Sequence, residues 1–374
     1  MTRTFRYPLR PTRSQAGVLT TWLGVCCDLY NAALQERRDA WRVARRSVSR
    51  LDQQSELAQL RASDSSFAET PSDIQRSAIR KVEVAFDAFF RRCKSGQKPG
   101  YPRFRSRRRY DSFSFPLPRI NGNSVIIPKL GQVRFHRYRP IEGVPKHVTV
   151  GRDAGGRWFV SFACDLGEAL PKIPVRTAVG IDLGLTTFAT LSDGREVANP
   201  RWAREGAARI KRCQQAVARR RRGSESRGRA RIAVARAHAR VANQRKDFAR
   251  KLACQLFRRY DLVAFEDLEV ARMARGHFAK SISDAGWSVF LQALRDKAES
   301  AGRHAIAVDP RGTTQMCSGC GAPVPKGIGD RRHVCTCGVD LGRDHNAALN
   351  VLRLGRSLVE TLMSGVVEAE GGLT

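Results

Sequence analysis

The sequence predicts an α+β chain of several folding units. An N-terminal helical lobe with a small β-barrel comes first, and an α/β domain interrupted by a small cysteine-bearing insert follows. Three observations carry this expectation. Apolar residues recur at helical spacing within 14–92, and short apolar-rich runs separated by turn residues fill 113–166. Beyond residue 177, two continuous apolar runs each end in an acid, at Asp182 and Glu266. A chain of 374 residues has room for two or three such units.

The elements follow in order. Met1 to Leu9 reads as the first strand of the barrel. Ser14 is the expected cap of a helix bearing Val18, Leu19, Trp22, Leu23, Cys26, Leu29, Tyr30, Ala33 and Leu34, continued with charge by Arg37, Arg38, Arg42, Arg45 and Arg46. A second helix starts after Pro71, with Ile74, Ala78, Ile79, Val82, Ala85, Phe86, Phe89 and Phe90 as its apolar face. Pro99, Gly100 and Pro102 break helical structure. Short strands are expected at 125–127, 132–135, 147–150 and 158–162, and Pro171 and Pro174 mark a linker. A strand at 178–182 is followed by one at 188–191 and the turn Ser192-Asp193-Gly194. Two long helices fill 201–260, joined near Gly223 to Gly228. A strand at 262–266, a helix at 287–300 and a strand at 304–309 come next. A helix opened by Asp344 carries Ala347, Ala348, Val351 and Leu352, and residues 362–374 read as a frayed tail. The expected boundaries are 1–13 and 111–170 for the barrel, 14–110 for the helical lobe, 171–316 and 339–361 for the α/β domain, and 317–338 for the insert.

Charge narrows the partners. There are 67 Lys and Arg against 35 Asp and Glu, a formal net charge of +32. Self-repulsion of that size is relieved by a polyanion, so nucleic acid is the first partner to consider. No run of about 18 apolar residues exists, which excludes a membrane span. The first residues lack an apolar signal core, so the chain is expected in the cytoplasm, associated with the nucleoid. Of ten cysteines, four are grouped late (Cys317, Cys320, Cys335, Cys337), a pattern of a metal site and not of a disulfide framework.

Asp182, Glu266 and Asp344 are far apart in sequence. Two end apolar strands and one opens a helix, a placement that can gather them at one sheet edge. Three such carboxylates raise one another's pKa. A pair of Mg²⁺ or Mn²⁺ ions, about 3.5–4 Å apart, removes that penalty and suits phosphodiester hydrolysis. Asp193 and Asp309 read as turn residues.

The motifs Gly180-Ile181-Asp182-Leu183-Gly184-Leu185, Phe265-Glu266-Asp267-Leu268 and Arg343-Asp344-His345-Asn346-Ala347-Ala348 resemble the three RuvC-type nuclease motifs of TnpB (OrfB-type) insertion-sequence proteins, relatives of miniature type V CRISPR effectors. The stretch from Val308-Asp309-Pro310 through Thr313 to Gly321 resembles that family's entry into its zinc ribbon. The resemblance spans nearly the whole chain. It implies an RNase H-like (RuvC) α/β domain at 171–316 and 339–361, with a zinc ribbon inserted at 317–338. It also implies an RNA-guided DNA endonuclease, partnered by a guide RNA and by double-stranded target DNA with a short flanking motif. Asp182, Glu266 and Asp344 would bind the catalytic ions. Arg343 is a candidate for the scissile phosphate or for pairing with an acid, and Asn346 for orienting Asp344 or capping its helix.

Cys317-x₂-Cys320 is a zinc half-site. Its partner, Cys335-Thr336-Cys337, is one residue shorter than the usual spacing, and alternate residues of an extended strand point opposite ways. The backbone must therefore bend for both to reach one structural Zn²⁺, or His333 replaces one thiolate. The family pattern favours the four cysteines, with Gly338 supplying the turn.

Residues 201–260 hold 20 Lys and Arg against Glu205, Glu225 and Asp247, including the run Arg219, Arg220, Arg221, Arg222. A structured RNA is the anion such a surface suits. Nine basic residues and no acid occupy 91–110. There Tyr101, Arg103, Phe104 and Arg105 suit backbone contact with base stacking. Gln75, Arg76 and Arg80 carry groups that read base edges or phosphates. Other classes remain: a nuclease-inactive RNA-guided repressor, a strand-joining transposase or its accessory, and a non-specific RNA-binding protein. No separate helix-turn-helix pattern for DNA ends is apparent, which weighs against the transposase.

Overall fold

The computed structural model of the chain describes residues 1–327 and 329–371, with only the backbone described at Ser66 and 363–371. The chain divides into two compact units, Met1–Glu168 and Ala169–Thr374. Among the described residues no helix is long and apolar enough to cross a membrane.

The first unit opens with β1 (Thr2–Arg10), followed by α1 (Arg13–Ala44), α2 (Arg50–Ser63), α3 (Ser65–Glu69) and α4 (Ser72–Lys94). The strands β2 (Ser112–Pro116), β3 (Arg119–Asn121), β4 (Ser124–Ile127), β5 (Gly131–Phe135), β6 (Val144–Arg152) and β7 (Trp158–Asp165) complete it. The sheet order is β2-β6-β7-β1-β5-β4-β3, so β1 lies in the middle and joins the two halves. It pairs antiparallel with β7 through Thr2–Pro8 and with β5 at Leu9 and Arg10. Alternation along each strand, as in Phe5, Tyr7 and Leu9, puts one face into the core. That core also takes in Leu19, Trp22, Cys26 and Tyr30 of α1 and Ile74, Ala78, Ile79 and Val82 of α4. The helices and the sheet therefore form one unit around one core, where the sequence reading separated a lobe from a barrel.

Several local expectations change. The cap of α1 is Thr12, not Ser14: the Thr12 hydroxyl accepts from Gln15 N at 3.2 Å while the Gln15 side chain takes Thr12 N at 3.1 Å. This reciprocal pair satisfies two first-turn donors and leaves Ser14 inside the helix. Helix α2 has no long apolar stripe to announce it, and polar contacts hold it. Gln53 is buried, donates to Ala33 O at 2.8 Å and accepts from Arg37 at 2.9 Å. On α4 the apolar face leaves the core after Val82. Phe86 and Phe89 are half-buried and Phe90 is 54% exposed.

The second unit contains β8 (Ala178–Leu183), β9 (Thr187–Leu191), β10 (Glu196–Ala198), α5 (Trp202–Ala218), α6 (Glu225–Arg259) and β11 (Leu262–Glu266). Then come α7 (Val270–Met273), α8 (Ala279–Ala285), α9 (Trp287–Ser300), β12 (His304–Val308), β13 (Arg332–Val334), β14 (Asp340–Gly342) and α10 (Arg343–Gly371). The five-stranded sheet has the order β10-β9-β8-β11-β12. β8 to β10 form an antiparallel meander, whereas β11 runs parallel to both β8 and β12. This is the RNase H-like arrangement. One face packs Val179, Ile181, Val263 and Phe265 against Leu252, Leu256 and Phe257 of α6 and Phe290, Leu291 and Leu294 of α9. The other face carries α10, through Ala264, Val308 and Val351. A strand covered on both faces is apolar throughout, which is why Leu262 to Phe265 reads without alternation.

The long basic helices join at 219–224, because Ser224 caps α6 by accepting from Arg227 N at 3.2 Å, and Gly228 lies inside α6. The insert extends past Cys337, as β13 and β14 pair from Arg332 to Gly342. α10 continues through Gly371 where a frayed tail was expected. Helix formers such as Glu360, Glu368, Ala369 and Glu370, with no proline, sustain it. Residues 372–374 of that expected tail lie outside the described residues.

α10 lies unusually close to the sheet. A Cβ on Gly180 would sit 2.1 Å from Ala348 O and 2.5 Å from Leu352 N, and one on Gly355 would sit 2.3 Å from Ala264 Cβ. Gly180→Ala is therefore expected to destabilise the protein by about 1–3 kcal/mol through overpacking. Denaturant unfolding measures it, and an unchanged midpoint would show that α10 tolerates displacement.

Candidate functional site

The register of the central strands places two of the acids. β11 sets Phe265 opposite Ile181. One step further, Glu266 and Asp182 follow on neighbouring strands, on the face that α10 covers. Asp344 lies in the first turn of α10, and its charge reaches Asp182. Burial first, then the charges of Glu266 and Asp344, push the Asp182 carboxyl up to about 8, with Arg343 pulling the other way. Burial also raises Glu266, against the hydrogen bond it accepts from Thr313. Asp182, Glu266 and Asp344 thus share one electrostatic environment.

Their neighbours have defined jobs. Arg343 Nε donates to Asp344 Oδ1 at 3.1 Å, the acid-pairing alternative for this residue. Asn346 neither caps the helix nor touches Asp344 in any hydrogen bond described: its amide donates to Met316 O at 2.8 Å and accepts from Ser318 N at 2.9 Å. Its position one turn along α10 faces the ribbon, which explains the difference. Thr313, which the sequence marks only as part of the ribbon entry, donates to Glu266 Oε1 at 2.7 Å. Asp193 and Asp309 are turn residues, accepting from the backbone N–H of Arg195 and Arg311. Glu266 and Asp344 disfavour ionisation of Asp182, and carboxylate oxygens are the donors that a hard divalent cation such as Mg²⁺ takes.

The cysteines come closer together. The Sγ atoms of Cys317, Cys320, Cys335 and Cys337 all lie within 4.8 Å of one another. Two pairs, Cys317–Cys337 and Cys320–Cys335, are 3.6 Å apart. Four thiolates about 2.3 Å from a tetrahedral Zn²⁺ have edges of about 3.8 Å, so the set fits zinc. Among the described residues this is the one group of three or more such ligands drawn so tight, and the acids are set wider. The short Cys335-Thr336-Cys337 half bends as required. Gly338 takes φ +94°, its N–H donates to Cys335 O at 3.0 Å, and Cys335 N donates to Val339 O at 2.9 Å. His333 is fully buried but stands outside the four-sulfur set.

The candidate nucleic-acid residues separate into two groups. Arg219, Arg220, Arg221 and Arg222 are all exposed, and among the described residues no carboxylate pairs with them. In 201–260 every Lys and Arg except Arg227 and Arg245 is exposed. Arg76 and Arg80 are exposed, Arg76 in a 3.5 Å pair with Asp73. Gln75 is a correction: it is fully buried, accepts from Arg61 and donates to Phe67 O at 2.9 Å. Its position on the inward stripe of α4, between Ile74 and Ala78, makes it a core strut. Arg103 and Phe104 are exposed, and Arg105 stacks over Tyr30 at 5.0 Å. Tyr101 is 46% exposed and makes edge contacts with Phe86 at 5.7 Å and Phe89 at 5.5 Å. These α4 rings were expected in the core. Their exposure beside the basic 91–110 segment is what periodicity alone missed. A cleft of about 580 Å³ beyond Glu266, lined by Arg272, Arg275 and Arg295 together with Asp267 and Glu269, was also not foreseen.

An RNase H-like sheet with three acids about it, a ribbon with four cysteines and a helix-bearing N-terminal sheet define a Cas12f-like fold. The fold of the solved "Cryo-EM structure of the Cas12f1-sgRNA-target DNA complex" matches at TM-score 0.62 and 14% identity, covering 91% of this chain and 83% of that one. The "Structure of the mini-RNA-guided endonuclease CRISPR-Cas_phi3" matches at TM-score 0.52 and 8% identity, covering 95% and 92%. Residues 161–276 match the family OrfB_IS605, described as "Probable transposase", and residues 287–351 match "Cas12f1-like, TNB domain". Over 370 residues the chain is 34% identical to a Streptomyces pristinaespiralis protein named "Putative RNA-guided DNA endonuclease", covering 94% of this chain and 89% of that protein. It is 26% identical over 388 residues to the Escherichia coli (strain K12) protein "Putative RNA-guided DNA endonuclease InsQ", covering 96% and 95%. The chain belongs to the OrfB family of insertion-sequence proteins, the TnpB-like proteins. Residues 1–46 also match a family described as "Helix-turn-helix domain", against the expectation that no such pattern is present. In the structure that stretch is β1 followed by the single long helix α1, so apolar periodicity alone gave no sign of it.

The geometry of the ribbon makes a direct prediction. Protein isolated without chelators should carry about one zinc per chain. Elemental analysis should find it retained in His333→Ala and lost in Cys337→Ser, and the reverse pattern would put His333 in the ligand set.

Proposed function

We propose that the protein is an RNA-guided DNA endonuclease. It binds a guide RNA encoded with its insertion sequence, meets double-stranded DNA beside a short flanking motif, and hydrolyses phosphodiesters. The observation that carries this reading is that the charges of Glu266 and Asp344 reach Asp182 in a +32 chain. Asp182, Glu266 and Asp344 would hold two Mg²⁺ or Mn²⁺ ions, which would supply activation of water and stabilisation of the leaving 3′-oxygen. The chain's own residues do the rest. β8 and β11 fix Asp182 and Glu266 side by side, α10 delivers Asp344, and Arg343 holds the Asp344 carboxyl. Water attacks phosphorus directly, with no covalent enzyme intermediate. The exposed cations of α5, α6 and their connection bind the RNA backbone. Arg76, Arg80 and the segment with Arg103, Phe104 and Arg105 face nucleic acid, with Tyr101 and Phe90 as stacking surfaces. The ribbon holds a structural Zn²⁺. The names of the relatives and the nucleic-acid complex of the fold neighbour support these partners. The presence of all three acids favours an enzyme over a nuclease-inactive repressor. The family description favours one second reading, strand joining by the same acids, which would appear in a cleavage assay as lengthened DNA.

Asp182→Ala should abolish guided cleavage while leaving guided DNA binding intact; a variant that cuts at near wild-type rate removes Asp182 from the site. Cleavage should stop after EDTA and return with Mg²⁺ or Mn²⁺, and full activity in EDTA would contradict a metal mechanism. Neutralising Arg219 to Arg222 should weaken RNA binding and flatten its salt dependence by up to about 3.6 units of log–log slope, since each phosphate left without its cation removes about 0.7–0.9. An unchanged slope would mean that these four face solvent.

A further inference from the structure

The loop that leads into the ribbon is fastened both to Glu266 and to α10, and we infer that the ribbon entry is a clamp that sets the catalytic acids. The inference rests on the reading of Asp182, Glu266 and Asp344 as ligands of divalent cations.

Thr313 and Asn346 are almost wholly buried. From the loop, the Thr313 hydroxyl donates to Glu266 Oε1 at 2.7 Å, the nearer of its two acceptors, with Pro310 O of the same loop at 2.9 Å. From α10, the Asn350 amide donates to Thr313 O at 2.9 Å and to Met316 O at 2.7 Å. One turn earlier, the Asn346 amide donates to Met316 O and accepts from Ser318 N. Ser318 lies between Cys317 and Cys320, inside the first zinc half-site. Asn346 is two residues from Asp344 on the same helix. A continuous set of hydrogen bonds therefore runs from the thiolate knuckle to α10, which bears Asp344, and to Glu266.

The chemistry gives the set a purpose. The Glu266 carboxylate ends in a soft terminal torsion, and its charge opposes that of Asp182. A single buried donor on Oε1 holds that torsion and leaves Oε2 available to a cation. The donor is only as fixed as its loop, and the loop is held by two asparagines whose amides would be left unpaired in the interior if it moved. Metal in the knuckle fixes the loop's far end. The ribbon thereby acts on the acids through Thr313, a positioning residue, with no ribbon atom touching substrate.

The test measures Mn²⁺ binding to the zinc-loaded full chain, by the electron paramagnetic resonance of free Mn²⁺, which needs neither guide nor target. Thr313→Val keeps the side-chain shape and removes the donor; it should weaken Mn²⁺ binding by about 10-fold or more, as loss of an outer-shell partner does. Thr313→Ser should restore most of the affinity, a rescue that loss of packing alone would not give. Asn346→Ala should weaken Mn²⁺ binding and also speed zinc release to a chromophoric chelator. Thermal unfolding checks that each variant is folded. Thr313→Val binding Mn²⁺ as tightly as wild type would overturn the clamp, and so would Asn346→Ala with unchanged Mn²⁺ affinity. Asp182→Ala separates the two levels. If it leaves Mn²⁺ binding intact, the acids are not the cation site and both readings fall. If it abolishes binding while Thr313→Val does not, only the clamp falls.

Discussion

The parallel pairing of β8 with β11, and the seating of α10 directly on that pair, is the constraint on which the second unit depends. Parallel register, which sets Phe265 opposite Ile181, brings Asp182 and Glu266 to neighbouring positions one residue on. Glycine at 180 and 355 lets the helix approach until its backbone meets the strand. Three acids separated by 84 and 78 residues of chain thus become neighbours through backbone geometry first and side-chain chemistry second.

The acids and the cysteines solve opposite problems. The thiol set is drawn tight by turns at Gly321 and Gly338, both in the left-handed region. The acid set is wider; Glu266 and Asp344 raise the Asp182 pKa, and Arg343 engages Asp344. Soft, closely spaced sulfur suits a closed structural ion, whereas spaced oxygen donors suit hydrated hard ions with open positions. The ribbon entry lies between these two sets, and Thr313, Asn346 and Asn350 are the polar groups that connect them.

The first unit shows a different balance. Its core is complete by Val82, yet α4 continues with Phe86, Phe89 and Phe90, and Tyr101 packs on their rings. Aromatic surface left exposed beside nine cations costs hydration that a soluble helix would ordinarily avoid. The basic α5–α6 pair follows the same logic with charge in place of rings, since α5 has no buried residue at all. Both surfaces leave rings or cations open to solvent.

Much of this was legible in the chain alone. Apolar runs ending at Asp182 and Glu266, the helix opened near Asp344, the Cys spacing and the alternating strands are local patterns, and local patterns survive without tertiary information. The motif resemblance added order and identity to them. Gln75 was not legible, because an exposed reader and a buried strut are the same residue type, and only the packing of α4 against its neighbours distinguishes them. The role of Thr313 was hidden and that of Asn346 differs from the helix cap or Asp344 partner expected, since hydrogen bonds across 47 and 28 residues have no periodic signature. The single core of the first unit was hidden for the same reason: hydrophobic contact between a helix and a distant sheet has no sequence spacing. Residue type and periodicity determined which groups could do chemistry. Tertiary structure decided which of them meet, because proximity across a sheet depends on strand register and close helix approach, and these are properties of the whole fold.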